Sequence, residues 1–258
     1  MKRILRLRFS GRLPEGYPKS MLLIKKTYWY STKKYARMQL MIITYFGKQF
    51  FKIQQGETVL SFNPVSKNSK TGINAHFGAD IALVTTNHPD YNGVEQLSHG
   101  ERVPFVINGP GDYEVKEIFI KGVMSDALLA SPAKDGVNKK YINTIYSLSI
   151  DNISIVFLGA LKPITDAEIS KEAREAINNP DILFIPIGGG GLLDAKGAAK
   201  LASALEPKMI IPMDYDNVSL KTFLKETGEE KAEVVDKLTL KLKDLEGKEG
   251  EVIVLKTI

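Results

Sequence analysis

The sequence predicts an α/β (α+β) protein in which two packed sheets carry helices on their outer faces. Three observations predict it. Short β-type runs fill the stretch from Leu40 to Leu158. Helix and strand then alternate to the end of the chain. The last third also holds apolar strands next to a helix with one apolar face, Ala198, Leu201, Ala202 and Leu205. A chain that lays down strands first and mixes helices with strands later packs as layers, with the helices outside.

The elements follow in order. Leu40–Phe46, Gln49–Gln54 and Thr58–Asn63 are β-type runs punctuated by Gly47-Lys48 and Gly56-Glu57, and they read as an antiparallel meander. Ala79–Thr85, Phe105–Asn108, Glu117–Lys121, Tyr141–Ile150 and Asn152–Leu158 are further strands, with Asp151-Asn152 as a hairpin turn between the last two. Residues 124–140 read as a surface loop. Asp166–Ala176 reads as a polar helix and Ile182–Ile187 as a fully apolar strand. Asp194 is placed to cap the helix Ala195–Leu205. Lys208–Met213 is a strand, Ser219–Glu226 a short helix, and Leu238, Leu240 and Leu242 alternate with polar residues as a half-buried strand before the closing Val252–Leu255.

Composition limits the chemistry. With 258 residues, the chain can bury a sizeable core without covalent staples. It has no cysteine, so disulfides and thiolate metal sites are excluded and any metal must be held by His, Asp, Glu or backbone groups. A cysteine-free chain fits a reducing compartment, and a cytoplasmic location is expected. No apolar run approaches the roughly 18 residues a membrane helix needs, so no membrane span is expected. The net charge of +5 is uneven. Residues 1–38 hold 11 basic residues against the acid Glu15, a net +10, while the rest, with 24 basic and 29 acidic residues, carries −5. Two parts are therefore expected: a basic extension, 1–38, outside the fold, and one domain over 39–258. Arg, Lys and aromatic residues in the extension raise nucleic acid as a partner.

Four segments carry a resemblance: ADIALVTTNHPDYNG at 79–93, INGPGDYEV at 107–115, ISIVFLGA at 153–160, and DILFIPIGGGGLLDAKGAAKLASALEPKMIIPMDY at 181–215. Together they resemble the metallo-β-lactamase superfamily, and most closely its zinc-dependent hydrolases of the ascorbate-6-phosphate lactonase-like branch. The resemblance covers residue 40 to the end. It implies the four-layer αββα sandwich of that fold and hydrolysis at one or two zinc ions.

The resemblance also implies which positions face the cleft, and there this chain departs from the family. Where the family has H-x-H-x-D-H, the sequence reads Thr86, Asn87, His88, Pro89, Asp90, Tyr91. After the Pro-Gly turn the ligand position is Asp112, the family's Gly-Asp is Gly159-Ala160, and its final His is Asp214. The expected metal ligands are reduced to His88, Asp90, Asp112 and Asp214, one imidazole among carboxylates. That set does not make a tight zinc site and suits Mg²⁺ or Mn²⁺ better. The expectation is a hydrolase relative with a degenerate metal site that binds a small molecule in the old cleft. The alternative is a hydrolase of lactones or phosphoesters with an altered ligand set. Asp214 is also placed to pair with Lys221 or Lys225 on the next helix. The run Gly188–Gly191 lacks the Gly-Lys-Ser/Thr ending of a phosphate loop and reads as a tight turn, whose backbone N–H groups could touch an anion. Substrate and oligomeric state are left open.

Overall fold

In the first strand, β1 (Met41–Gly47), burial alternates residue by residue, with Met41, Ile43 and Tyr45 facing inward and Ile42, Thr44 and Phe46 outward. This period of two makes a strand with one face on a core. A computed structural model describes residues 40–131, 138–163 and 171–258. All of them fall in one compact unit, Leu40–Ile258. The basic extension lies outside the described residues, and so does the nucleic-acid expectation that rests on it.

The first sheet has six strands, in the order β13 (Lys237–Leu240), β1, β2 (Phe50–Gln55), β3 (Thr58–Phe62), β4 (Ile81–Leu83) and β5 (Phe105–Ile107). The second has eight: β12 (Glu233–Val235), β14 (Glu251–Leu255), β11 (Met209–Met213), β10 (Ile182–Pro186), β9 (Ile153–Phe157), β8 (Asn138–Ile150), β7 (Ile118–Ala130) and β6 (Gly111–Val115). Between the sheets sits an aromatic cluster. Phe62 stacks on Phe157 at 4.5 Å, and Phe51 meets Phe184 edge-on at 4.9 Å. One partner in each pair comes from each sheet, so these contacts hold the sandwich together.

The described helices are α1 (Lys171–Ile177), α2 (Ala195–Leu205) and α3 (Asn217–Thr227). Asp194 caps α2 as expected, its carboxylate accepting from the Gly197 N–H at 2.7 Å. Ala195, Ala198, Ala199 and Ala202 bury the inner face of α2 and, having only methyl side chains, let it lie close over Leu183, Ile185 and Ile210. β9, β10, β11 and β14 run parallel and are apolar on both faces because helices cover one face and the first sheet the other. Outside the first sheet the cover is thin: the segment between β3 and β4 brings Phe77 onto Phe46 and Phe50, and the segment between β4 and β5 carries one 3₁₀ turn, Val94–Gln96.

Some elements differ from expectation. The stretch 124–140 is not a loop over its described part. β7 and β8 form a long hairpin that pairs from Ile120–Leu148 to Ala130–Asn138. Its polar residues are the solvent face of a ribbon, a pattern that composition alone does not separate from a loop. β6 and β12 are short edge strands, of five and three residues, too short to show a clear period in the sequence. Leu242 belongs to a 3₁₀ turn, Leu242–Leu245, that follows β13. The Asp151-Asn152 turn is as expected, with both residues at positive φ, 48° and 65°, as a two-residue hairpin turn of type I′ requires. Among the described residues no helix is long and apolar enough to cross a membrane.

Candidate functional site

The C-terminal ends of β4, β10 and β11 open onto one end of the sandwich, and the segments that leave them build a cleft of about 230 Å³. Lys48, His88, Asp90, Tyr91, Ala130, Gly188–Gly190 and Asp214 are among its lining residues. Two backbone approaches fix the Gly-rich segment. A Cβ at Gly188 would lie 2.1 Å from the Asp214 carbonyl oxygen, and one at Gly191 would lie 2.2 Å from that of Leu128. Only glycine allows such approaches. The Gly189 N–H already donates to the Leu193 carbonyl at 3.0 Å, and the Asp194 carboxylate occupies the N-terminus of α2. The anion-binding groups of a phosphate loop are thus partly taken from within the chain.

Asp214 follows β11 with φ of +53°, and Lys48, in the turn between β1 and β2, has φ of +54°. The two are bound by backbone and by side chain. The Asp214 N–H donates to the Lys48 carbonyl at 2.7 Å, and the Lys48 Nζ lies 3.1 Å from Asp214 Oδ1. The other oxygen, Oδ2, accepts from the Tyr91 hydroxyl at 2.9 Å and from Gln49 Nε2 at 3.3 Å. Gln49 is held in turn by Asn63, whose Nδ2 donates to its Oε1 at 2.9 Å. Burial alone would lower the Lys48 pKa, but the charge and hydrogen bond of Asp214, with the charge of Asp90, raise it above the ordinary lysine value. Burial, and then the Asp214 charge, push Tyr91 well above the ordinary phenol value, so it stays protonated and donates. The expected pairing of Asp214 with Lys221 or Lys225 is replaced by Lys48, because Asp214 turns back toward the first sheet.

His88 is buried, and both ring nitrogens are engaged. Nδ1 accepts the Asp90 backbone N–H at 3.2 Å, and Nε2 lies 3.0 Å from the Ala130 carbonyl. An Nδ1 that accepts carries no proton, so Nε2 is the N–H that donates to Ala130. Asp90 Oδ1 accepts from the Ser69 hydroxyl at 2.6 Å. Thr86 turns away from the cleft, its hydroxyl donating to the Ile142 carbonyl at 2.5 Å. Ala160 is fully buried in an apolar bed with Tyr91, Ala127, Leu129 and Leu192.

Of the four expected metal ligands, Asp112 is the one that does not line the cleft. It is exposed on β6, paired with Lys121 of β7, and is not among the residues lining the cleft. β7 joins the cluster of Tyr91 and Ala160 through Ala127 and Leu129, the first of them six positions beyond Lys121, a distance of about 20 Å at the rise of an extended strand. The Pro-Gly turn thus starts the strand pair whose far end reaches the site. Among the described residues, no three His, Cys, Asp or Glu side chains come together as a metal-holding group. Sequence reasoning missed Lys48, Gln49, Ser69 and Ala127. Lys48 lay in the Gly47-Lys48 turn, where a lysine reads as a solvated surface residue, and the Gln49–Asp214 contact spans 165 positions.

Residues 42–214 match the β-lactamase superfamily domain. The chain belongs to this family. A metal-dependent hydrolase of Thermoplasma acidophilum is 26% identical over 180 residues, covering 62% of this chain and 75% of that protein. Another, from Lysinibacillus sphaericus, is 24% identical over 200 residues, covering 68% and 86%. Among solved structures, a Thermotoga maritima protein described as a zinc-dependent hydrolase of the metallo-β-lactamase superfamily superposes with a TM-score of 0.60 at 25% identity, over 83% of this chain and 98% of that one. The fold is therefore the metallo-β-lactamase fold, and the Thermoplasma and Lysinibacillus relatives are described as metal-dependent hydrolases.

Proposed function

We propose that this chain is a metallo-β-lactamase-fold protein without ordinary zinc hydrolase activity that acts by binding a small ligand in its cleft. The observation that carries this reading is the state of the donors. Zinc at such a site needs three or four nitrogen or oxygen ligands with open lone pairs. His88 has Nδ1 filled by a backbone N–H and Nε2 turned to a carbonyl. Both oxygens of Asp214 are taken, one of them by an ammonium group. Ala160 and Ala127 offer methyl groups, and Thr86 bonds elsewhere. These residues do not fit a zinc ion, so no hydrolytic step is derived through one.

The cleft that remains is small and lined both by charged residues, Lys48, Asp90 and Asp214, and by apolar ones, Leu129, Ala130 and Leu192. That combination suits a compact ligand with one hydrogen-bonding edge. A second reading, a hydrolase with a carboxylate-rich metal set, draws on Asp90 and Asp214 sharing the cleft and on the hydrolase relatives. Elemental analysis separates the two. The protein purified without chelator is expected to hold far less than one equivalent of Zn, Mn or Mg and to leave lactone and phosphoester substrates intact. Stoichiometric metal that survives dialysis, with turnover abolished by Asp90→Ala, would overturn the binding reading in favour of the hydrolase.

A further inference from the structure

We infer that the ammonium group of Lys48 is the resident cation of this cleft, standing by Asp214 and Asp90 in the place of a metal ion, and that removing it opens a divalent-cation site. The inference rests on the metal-free reading above and goes beyond it by naming the group that makes the cleft stable without metal. Three observations support it. The Lys48 Nζ contacts Asp214 Oδ1 at 3.1 Å, and Lys48 lines the cleft with both Asp214 and Asp90. The start of its side chain is pinned, since the Lys48 carbonyl accepts from the Asp214 N–H at 2.7 Å and from the Tyr45 hydroxyl at 2.8 Å. The Asp214 side chain is 9% exposed, so its charge sits where water compensates it poorly.

A carboxylate in that setting needs a cation. Losing Lys48, whose side chain is 38% exposed, leaves the mostly covered Asp214 carboxylate without a compensating charge and destabilises the fold more than losing a fully exposed pair does. Tyr91 and Gln49 supply hydrogen bonds to Oδ2 but no charge. With Lys48 shortened to an uncharged side chain, Oδ1 of Asp214 is open and the Asp90 carboxylate faces the same cleft. The acceptors are then carboxylate oxygens, with the His88 ring still held by its backbone partners. Carboxylate oxygens as ligands favour Mn²⁺ or Mg²⁺ over Zn²⁺. Lys48 therefore acts as a tethered cation, present at a fixed stoichiometry and independent of metal supply.

The test compares thermal unfolding of the full-length parent, Lys48→Met and Lys48→Met/Asp214→Asn, each after EDTA treatment and again with MnCl₂ or MgCl₂. The parent is expected to show no metal-dependent shift. Lys48→Met is expected to melt lower than the parent in EDTA and to rise by about 5–10 °C once free metal exceeds its dissociation constant a hundredfold. The double variant, which removes both charges, is expected to melt above Lys48→Met in EDTA and to ignore metal. A Lys48→Met protein that folds only when metal is added supports the inference equally. A folded Lys48→Met with no metal shift overturns it and leaves the metal-free reading standing. Lys48→Met that stays unfolded with metal, or a double variant as unstable as the single, overturns it as well, because the defect is then not an uncompensated charge. A metal shift in the parent overturns both the inference and the binding reading, and that sample alone identifies this case.

Discussion

Replacing Asn63 with alanine tests whether the polar chain behind the cleft is a determinant of the fold. Asn63 is fully buried and sits at φ of +43° just after β3. Its Nδ2 donates to Gln49 Oε1 and to Thr85 Oγ1, both at 2.9 Å, and its Oδ1 accepts the Thr85 N–H at 2.8 Å. Alanine removes all three bonds. It strands the buried Thr85 N–H and the Gln49 carbonyl, each at a cost of about 1–3 kcal/mol, partly relieved by any water that enters. It also puts a Cβ residue without a local hydrogen bond into the left-handed region, at about 1–2 kcal/mol. The expected loss is about 4 kcal/mol, a large part of the roughly 5–15 kcal/mol that holds a domain together. Glycine at the same position loses the same bonds but not the backbone term, so Asn63→Gly is expected to be about 1 kcal/mol more stable than Asn63→Ala. Urea unfolding with unchanged slope measures both. A loss under about 1 kcal/mol for Asn63→Ala, or a glycine variant no better than alanine, would refute this account.

Two further outcomes follow from the same structure. For Asp80, burial alone would raise the carboxyl pKa, but Lys116 Nζ at 2.6 Å, the Val59 N–H at 2.8 Å and the Arg102 charge hold it below the usual carboxylate range. A folded pKa below the unfolded one means that the unfolded chain takes up the proton first. This part of the stability is complete above the unfolded value, near pH 4, and is lost as pH falls through the folded one, so the urea midpoint of Asp80→Asn should decline less steeply below about pH 4 than that of the parent. Parallel declines would show that Asp80 is not a source of the acid sensitivity. In the Gly-rich turn, Gly188→Ala places its methyl 2.1 Å from the Asp214 carbonyl and must move backbone, whereas Gly190→Ala meets nothing within 4 Å and bears only the strain of φ at +67°. Melting points should fall clearly further for Gly188→Ala; equal falls would mean that the close approach at Asp214 is not a constraint.

The fold was legible because its signals are local. The apolar run at 182–187, the Asp194 cap, the period of the helix to Leu205 and the Asp151-Asn152 turn each report on a few adjacent residues, and each is where expected. The gathering of 86–91 and 214 was legible only through the family resemblance, which placed both after strand ends. The site's electrostatics were not legible. Lys48 carries no local mark that separates it from a solvated turn lysine, and its partner is fixed by the packing of the two sheets. Asp112 was misplaced for the opposite reason. The Pro-Gly turn drew the ligand position to its immediate neighbour, while the length of β7 carries the chain about 20 Å further before it reaches Tyr91 and Ala160.

The polar groups at the cleft end are arranged by the seam between the two sheets. At the cleft end, Lys48 and Gln49 come from the first sheet and Asp214 from the second, and they meet through a backbone hydrogen bond, an ion pair and a side-chain hydrogen bond. Nearby, the Tyr146 hydroxyl of β8 reaches the Val84 carbonyl at 2.9 Å, and the Thr144 N–H reaches that of Thr85 at 2.8 Å. Loops that leave strand ends carry carbonyl and amide groups that no ladder satisfies, so this end of the sandwich cannot be closed by apolar packing alone. The Asp214 carboxylate takes part in that closure with a cation beside it, the Lys48 ammonium at 3.1 Å. Tyr91 donates its hydroxyl to Asp214, and Ala160 belongs to the apolar bed that holds Tyr91. The polar groups of the cleft thus bond one another across the two sheets, with the Gly188–Gly190 backbone and the part-exposed Lys48 lining it beside them.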